Sequence, residues 1–183
     1  KHDGEKQKIN FFTATNMVFW TLLTHVLLDM FTSWGTQILW PLEHRFALKT
    51  IFVIDPLYTL PLLIALVIVW KTKIESLRYK YIKRGLVISS SYLLLSSFIK
   101  LYAVTQFEKA LTKQRIPYSE IIVKPTAFNL ILWNANVATT DNYLLSDYSL
   151  FDTQPISFVA YSKNNGLEKR LAGNTDFEKL KKA

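Results

Sequence analysis

The chain has 183 residues, a length that fits one ordinary domain or two small ones. Half of the residues are apolar and 20% are charged, which excludes a disordered chain, and the absence of cysteine excludes disulfides, iron–sulfur sites and a thiol nucleophile. The net charge of +8 is compatible with nucleic acid binding, with an acidic membrane surface, or with loop charges that set membrane topology.

Three apolar stretches occupy the first 104 residues. Asp29 is the only charged residue from Phe11 to Trp40, and Lys100 is the only one from Gly85 to Val104. Both stretches reach the roughly 20 residues that a transmembrane helix needs. The stretch from Pro56 to Trp70 has no charge but is short, and taken alone it would also fit a buried core helix of a soluble protein. Together the three stretches predict about three transmembrane helices.

The basic residues predict the orientation of these helices. The segment 71–84 holds six Lys and Arg residues and one acidic residue, whereas the segment 32–55 balances its charges. By the positive-inside rule, the N-terminus and the 71–84 loop are cytoplasmic, and the 32–55 loop and the chain after about Val104 are on the outer side. We expect no nucleic acid partner, because the basic residues are spread over two loops and a domain rather than over one aromatic-lined face.

The remaining residues, 105–183, predict a small soluble α+β domain after the membrane section 1–104. Thr105–Arg115 is interpreted as a solvated continuation of the third helix, which stops before Pro117. Thr140–Asn142 predicts the turn of a hairpin. The predicted strands are Glu120–Lys124, Phe128–Thr139, Tyr143–Phe151 and Pro155–Tyr161, and a charged helix is predicted at Asp176–Lys182.

The first span contains an ionisable pair, His25 and Asp29. Their spacing of four residues places them on one helical face, and Thr32 and Thr36 continue that stripe if the helix extends so far. Gly35 between them predicts either a helix break or the close approach of another backbone. A divalent metal suits an imidazole and a carboxylate at this spacing, while hydrogen bonds to a neighbouring helix and a proton relay are the alternatives.

A second polar position is Asp55, directly before the second span. Asp followed by Pro56 is typical of a helix N-cap and first helical position. Asp55 is also a candidate metal ligand that would meet His25 and Asp29 at the outer rim of the membrane, because a cap needs only one carboxylate oxygen. His44 is interpreted as a surface loop residue, and Arg45 as either an anion-binding or an interfacial residue.

A resemblance to a known family is carried by THVLLDMFTSWGTQILWP (Thr24–Pro41), RFAL (Arg45–Leu48) and IFVIDPLYTLPLL (Ile51–Leu63). These runs resemble the bacterial membrane-bound metal-dependent hydrolases, the group that includes the LexA-regulated inner-membrane hydrolases. The segments SSSYLLLSSFIKLYA, KPTAFNLILW and YSLFD resemble that family's third span and appended domain. Because family members carry an earlier half with further His and Asp residues, the resemblance implies either that this chain is the C-terminal portion of such an enzyme or that its site is incomplete.

These observations together predict a metal-dependent hydrolase of the cytoplasmic (inner) membrane that uses a metal-activated water. His25 and Asp29 would bind a divalent ion, for which zinc and manganese both fit, and Asp55 would bind it or act as general base. Thr32 and Thr36 would orient water or substrate. The membrane lipids are the expected surroundings, and a site at this depth favours a lipid-like substrate. The alternative is a non-enzymatic membrane protein with a structural His–Asp stripe and an outer domain that binds a protein partner.

The predicted orientation can be tested by labelling, since the chain has no native cysteine. A membrane-impermeant maleimide applied to intact cells should label the single-cysteine variant Thr140→Cys and leave Arg78→Cys unlabelled. Both variants should react once the membrane is permeabilised. Labelling of Arg78→Cys but not of Thr140→Cys in intact cells would invert the orientation.

Overall fold

A computed structural model describes residues 10–41 and 44–163 of the chain. It contains three α-helices followed by a four-stranded antiparallel sheet in the order β1-β2-β3-β4. The elements are α1 (Phe11–Phe31), α2 (Pro56–Lys71), α3 (Glu75–Lys113), β1 (Glu120–Pro125), β2 (Leu132–Ala138), β3 (Asn142–Ser149) and β4 (Val159–Ser162). The predicted helix at Asp176–Lys182 lies outside the described residues.

The chain divides into two compact units. The first, called the helical unit below, comprises Lys1–Tyr102 and Lys124–Leu132. The second, called the sheet unit, comprises Ala103–Val123 and Trp133–Ala183. The division falls inside α3, so that this one helix contributes to both units.

Helix α1 is mostly apolar and has no buried residue. The Asn10 side chain caps it by accepting a hydrogen bond from the Phe12 amide, and the helix ends where Thr32 becomes extended. The first apolar stretch is therefore helical only as far as Phe31, and Thr32 and Thr36 do not continue the helical stripe. Gly35, which the sequence marked as a break or a close approach, is both. Its φ is +67°, and a Cβ there would lie 2.6 Å from the Phe46 carbonyl oxygen.

Helices α1 and α3 are long and apolar enough to cross a membrane, and among the described residues they are the two that meet this length. Helix α2 begins at Pro56 as predicted and has 16 residues, about 24 Å, against a hydrocarbon thickness of about 30 Å. Helix α3 has 39 residues, or about 58 Å.

The prediction of a loop over 71–84 is wrong for most of that segment. Only residues 72–74 separate α2 from α3, and residues 75–84 form the first turns of α3. The segment is rich in Lys and Arg, which are good helix formers, and it contains neither Gly nor Pro. High charge keeps such a segment in water without preventing a helix.

Helices α2 and α3 pack closely at a small-residue contact. A Cβ added to Gly85 would lie 2.8 Å from the Cβ of Ala65 and 3.1 Å from the Pro61 carbonyl oxygen. One turn further along α3, the Ser89 hydroxyl donates to the Tyr58 carbonyl oxygen at 2.8 Å. The later residue of α3, Ser89, thus contacts an earlier residue of α2 than Gly85 does, so the two helices are antiparallel. Small residues permit this approach and interhelical hydrogen bonds add to it.

The sheet unit has a core between the sheet and the end of α3. The inner face of β2 carries the fully buried side chains of Trp133, Ala135 and Val137. The ring of Phe107 on α3 meets that of Tyr148 on β3 edge to face, with centroids 5.9 Å apart. Ala103, Phe107 and Leu111 are also fully buried. The prediction that the helix continuation is solvated is therefore wrong for one face, because that face covers the sheet.

The four predicted strands are found, but two of them begin later than predicted: β2 begins at Leu132 rather than at Phe128, and β4 begins at Val159 rather than at Pro155. The hairpin between β2 and β3 turns at Thr140 and Asp141, as expected. The residues 128–131, however, form a loop before β2. The Asn129 side-chain oxygen accepts hydrogen bonds from the Ile131 and Leu132 amides at 2.9 and 2.8 Å, which offers this backbone an alternative to strand pairing.

The contact between α2 and α3 predicts the effect of adding one methyl group. Gly85→Ala should lower the melting temperature of the protein in detergent, because overpacking costs about 1–3 kcal/mol against the gain of about 1 kcal/mol in helix propensity. Adding Ala65→Gly should restore much of the loss by removing the opposing Cβ. Ser90→Ala, at an exposed position of α3, is the control. An unchanged or raised melting temperature in Gly85→Ala would contradict the close packing.

Candidate functional site

The ionisable pair of α1 stands on one face near the end of the helix. The His25 Nε2 lies 3.6 Å from the Asp29 Oδ2, and the two side chains are 70% and 41% exposed. Thr21, one turn earlier on this face, turns its hydroxyl back to the Met17 carbonyl oxygen at 2.7 Å. The imidazole and the carboxylate are thus the groups of this face that remain open to a ligand.

The loop after α1 folds back and closes the end of the helix. The amides of Thr50 and Ile51 donate to the Phe31 carbonyl oxygen at 2.8 and 3.1 Å, so this helix-end carbonyl has partners. The buried Thr32 donates its hydroxyl to the Asp29 carbonyl oxygen at 2.8 Å. The loop therefore fixes the backbone at the end of α1, directly after the ionisable pair.

Three of the residues singled out in the sequence, Thr36, His44 and Arg45, lie in the loop between α1 and α2. Thr36 pairs its backbone with that of Phe46 through two hydrogen bonds of 3.1 and 2.9 Å. The exposed His44 ring stacks edge to face on Phe46 with a centroid distance of 4.8 Å, and Arg45 is also exposed. The role of Thr32 and Thr36 in orienting water or substrate stays a prediction.

Asp55 is a buried carboxylate whose two oxygens both have partners. Only 2% of the residue is exposed. Its Oδ1 accepts from the amides of Leu57 and Tyr58 at 3.0 and 3.4 Å, which confirms the predicted N-cap. Its Oδ2 accepts from the hydroxyl of Tyr92 on α3 at 2.8 Å. Asp55 therefore begins α2 and also links it to α3.

Tyr92 is the partner that sequence reasoning missed. It lies on the same face of α3 as Gly85, Ser89 and Ser96, at spacings of seven, three and four residues. Ser89 and Ser96 are buried on this face, whereas the neighbouring Ser90 and Ser91 are exposed. The periodic spacing of these residues is the sequence signal that could have identified Tyr92, because a polar stripe on an apolar helix indicates contact with a neighbouring helix.

The described residues supply two candidate metal ligands, His25 and Asp29. Within residues 10–41 and 44–163, no three His, Cys, Asp or Glu side chains come together as a metal-binding group. A catalytic metal usually has three protein ligands and an open position. His25 and Asp29 fit as two of them, so a third ligand from the described residues would need a rearrangement. For Asp55 this means that Oδ2 exchanges the Tyr92 hydroxyl for the metal, and its role as a ligand stays a prediction.

Two helices able to cross a membrane, with an ionisable pair inside the first, define an α-helical membrane protein. The family model of the YdjM inner membrane protein matches residues 5–107, more than half of the 183 residues, and the chain belongs to this family. The match supports a bacterial inner membrane protein family and an inner membrane location, while the hydrolase activity that the resemblance implies stays a prediction. Comparison with curated proteins finds no match, and comparison with solved structures finds none either.

The hydrogen bond between Tyr92 and Asp55 predicts a specific loss of stability. Tyr92→Phe should destabilise the protein by about 1–3 kcal/mol or more, because it leaves a buried carboxylate oxygen without its donor. Thermal unfolding in detergent measures the change, and Tyr79→Phe, at an exposed position of α3, should have no effect. Equal melting temperatures for the wild type and Tyr92→Phe would contradict the structural role of Asp55.

Proposed function

We propose that this protein is a metal-assisted hydrolase of the inner membrane, or the C-terminal part of one. The observation that carries the proposal is the His25–Asp29 pair, which stands open on an apolar helix of membrane-spanning length. Ionisable groups inside a membrane span are costly, and their usual justification is a functional site. Membership in an inner membrane protein family supports the setting of this site.

The proposal includes three spans, with the sheet unit on the outer side. The contrast between the basic segment 71–84 and the charge-balanced segment 32–55 supports this orientation. Within the helical unit, the Phe52 ring contacts the Phe128 ring with centroids 5.5 Å apart. Phe52 precedes α2 and Phe128 lies between β1 and β2, so their contact favours the same side of the membrane for both loops. With its 16 residues, α2 would then cross a locally thinned bilayer.

His25 and Asp29 would hold the metal at the outer end of α1. Asp29 lies two residues before the end of the helix and His25 six, which places both within about 9 Å of that end. A divalent ion such as zinc or manganese makes water acidic enough to act as a nucleophile near neutral pH. The hydrogen bond from Thr32 to the Asp29 carbonyl fixes the backbone from which the carboxylate projects. Further ligands would come from outside the described residues or from a rearranged Asp55.

The depth of the pair favours an amphiphilic substrate. A group bound within about 9 Å of the helix end meets the boundary between hydrocarbon and headgroups, where the polar part of a lipid lies. Water reaches this level, while the acyl chains of a substrate remain in the bilayer. We therefore propose that the hydrolysed bond belongs to the headgroup region of a lipid or a lipid-linked molecule.

The metal content of the purified full-length protein tests this proposal. The wild type should retain a divalent metal, and His25→Ala and Asp29→Ala should each lower the affinity by more than the ~10–100-fold that loss of an outer-shell partner costs. Thr21→Ala, on the same face, is the matched control and should retain the metal. Folding is checked in each variant by thermal unfolding.

Two outcomes favour different classes of protein. Loss of metal in both variants, together with loss of hydrolysis of lipid phosphoesters, supports the hydrolase. If the wild type and both variants stay folded and hold equally little metal, the hydrolase proposal fails. The pair then belongs to a non-enzymatic membrane protein in which it hydrogen-bonds to another helix.

A further inference from the structure

A lysine inside the third apolar stretch has a defined partner in the loop that precedes α2. Lys100 is the only charged residue from Gly85 to Val104, and it is partly buried. Its ammonium group donates a hydrogen bond to the Leu48 carbonyl oxygen. Because an ammonium group carries three donors, this bond uses one of them. A lysine at such a position is a candidate for a functional site rather than for solubility.

A second lysine follows that carbonyl directly. Lys49 is held between two hydrogen bonds to the end of α1, from the Leu48 amide to the Met30 carbonyl oxygen at 2.6 Å and from the Thr50 amide to the Phe31 carbonyl oxygen at 2.8 Å. Its φ is +52°, in the left-handed region, which costs an L-residue roughly 1–2 kcal/mol. Strained residues of this kind persist where the surrounding contacts impose them, and they cluster at binding sites.

The two lysines are neighbours, because the Lys100 ammonium group donates to the carbonyl oxygen of the residue that directly precedes Lys49. Their like charges therefore oppose each other. Within the described part of the chain, no carboxylate lies within salt-bridge distance of either lysine. Asp55 in the same unit does not neutralise them, since its oxygens accept hydrogen bonds from Tyr92 and from the first turn of α2. Two like charges at the margin of an apolar region are stabilised by an anion that contacts both.

We propose that Lys49 and Lys100 form a binding subsite for a phosphate group beside the outer end of α1. A phosphate monoester carries between one and two negative charges near pH 7, so it can neutralise both lysines, whereas a carboxylate can neutralise only one. Leu48 and Lys49 lie against the last turn of α1, one residue past Asp29. A phosphate held here would be the headgroup of the amphiphilic substrate, and this assignment as substrate rests on the proposed function. The phosphate subsite itself does not.

Binding of short-chain lipids to the full-length protein in detergent tests the subsite. The protein is first treated with a chelator, so that binding does not depend on a metal. The probes are dihexanoyl phosphatidic acid, dihexanoyl phosphatidylcholine as the zwitterionic comparison, and inorganic phosphate, all measured by titration calorimetry. Phosphatidic acid should bind to the wild type, and Lys49→Gln and Lys100→Gln should each raise its Kd at least tenfold.

The Lys100→Gln side chain can still donate to the Leu48 carbonyl oxygen, so the loop should stay in place in that variant. Three further variants separate the effect of charge from an effect on folding. Lys49→Arg and Lys100→Arg keep the charge and should keep most of the binding, and Lys109→Gln, an exposed position further along α3, should bind like the wild type. Wild-type affinity in both glutamine variants, or no binding of either phosphate probe to the wild type, would overturn the subsite.

The remaining outcomes decide the source of the phosphate and separate the two proposals. Tighter binding of phosphatidic acid than of inorganic phosphate supports a lipid headgroup. Equal binding of both probes, lost in the glutamine variants, supports the subsite and assigns it to free phosphate. If the metal measurements fail while the lysine variants lose phosphate binding, the subsite stands and the hydrolase proposal fails.

Discussion

The helical unit depends on the carboxylate of Asp55, which serves two helices at once. One oxygen supplies the acceptor for the first amides of α2, and the other accepts the Tyr92 hydroxyl of α3. A buried carboxylate is costly unless its lone pairs are satisfied, and here backbone and hydroxyl donors satisfy both oxygens. The start of α2 and its register along α3 are therefore set by one side chain. The contacts of Gly85 and Ser89 further along the interface require that register.

The polar residues of the helical unit differ in whether their hydrogen-bonding groups are satisfied within the fold. Asp55 has its partners inside the fold, whereas the pair on α1 is open and contacts only itself among the described side chains. The loop between α1 and α2 connects the two places. It closes the end of α1, and its Leu48 carbonyl oxygen accepts from Lys100. The packed pair of α2 and α3 thus positions this loop beside the open pair of α1, which is how a scaffold normally presents a binding site.

Local signals in the sequence predicted much of this fold. Hydropathy located the three helices, and the Asp-Pro pair gave the N-cap at Asp55 because capping depends on neighbouring residues alone. The same holds for the hairpin turn before β3. Each of these features is determined within a few residues of the chain.

The features that escaped prediction depend on distant partners. Tyr92 was not assigned a role, since its acceptor lies 37 residues away and its own span contains only neutral residues around it. The sequence predicts a solvated face of α3 at Phe107 because only the sheet that follows in the chain covers it. The basic segment 71–84 is predicted as a loop because it lies between two apolar spans, although its residues favour helix. The candidate metal pair could be found from the sequence, but its missing ligands could not.

The central claim is that the open pair of His25 and Asp29 binds the metal of the proposed site. X-ray absorption at the metal edge of the full-length protein, loaded at a saturating metal concentration, tests it most directly in the wild type, His25→Ala and Thr21→Ala. We predict imidazole scattering in the wild type and in Thr21→Ala, and its loss in His25→Ala. Imidazole scattering that persists in His25→Ala, or no bound metal in the wild type, would contradict this account.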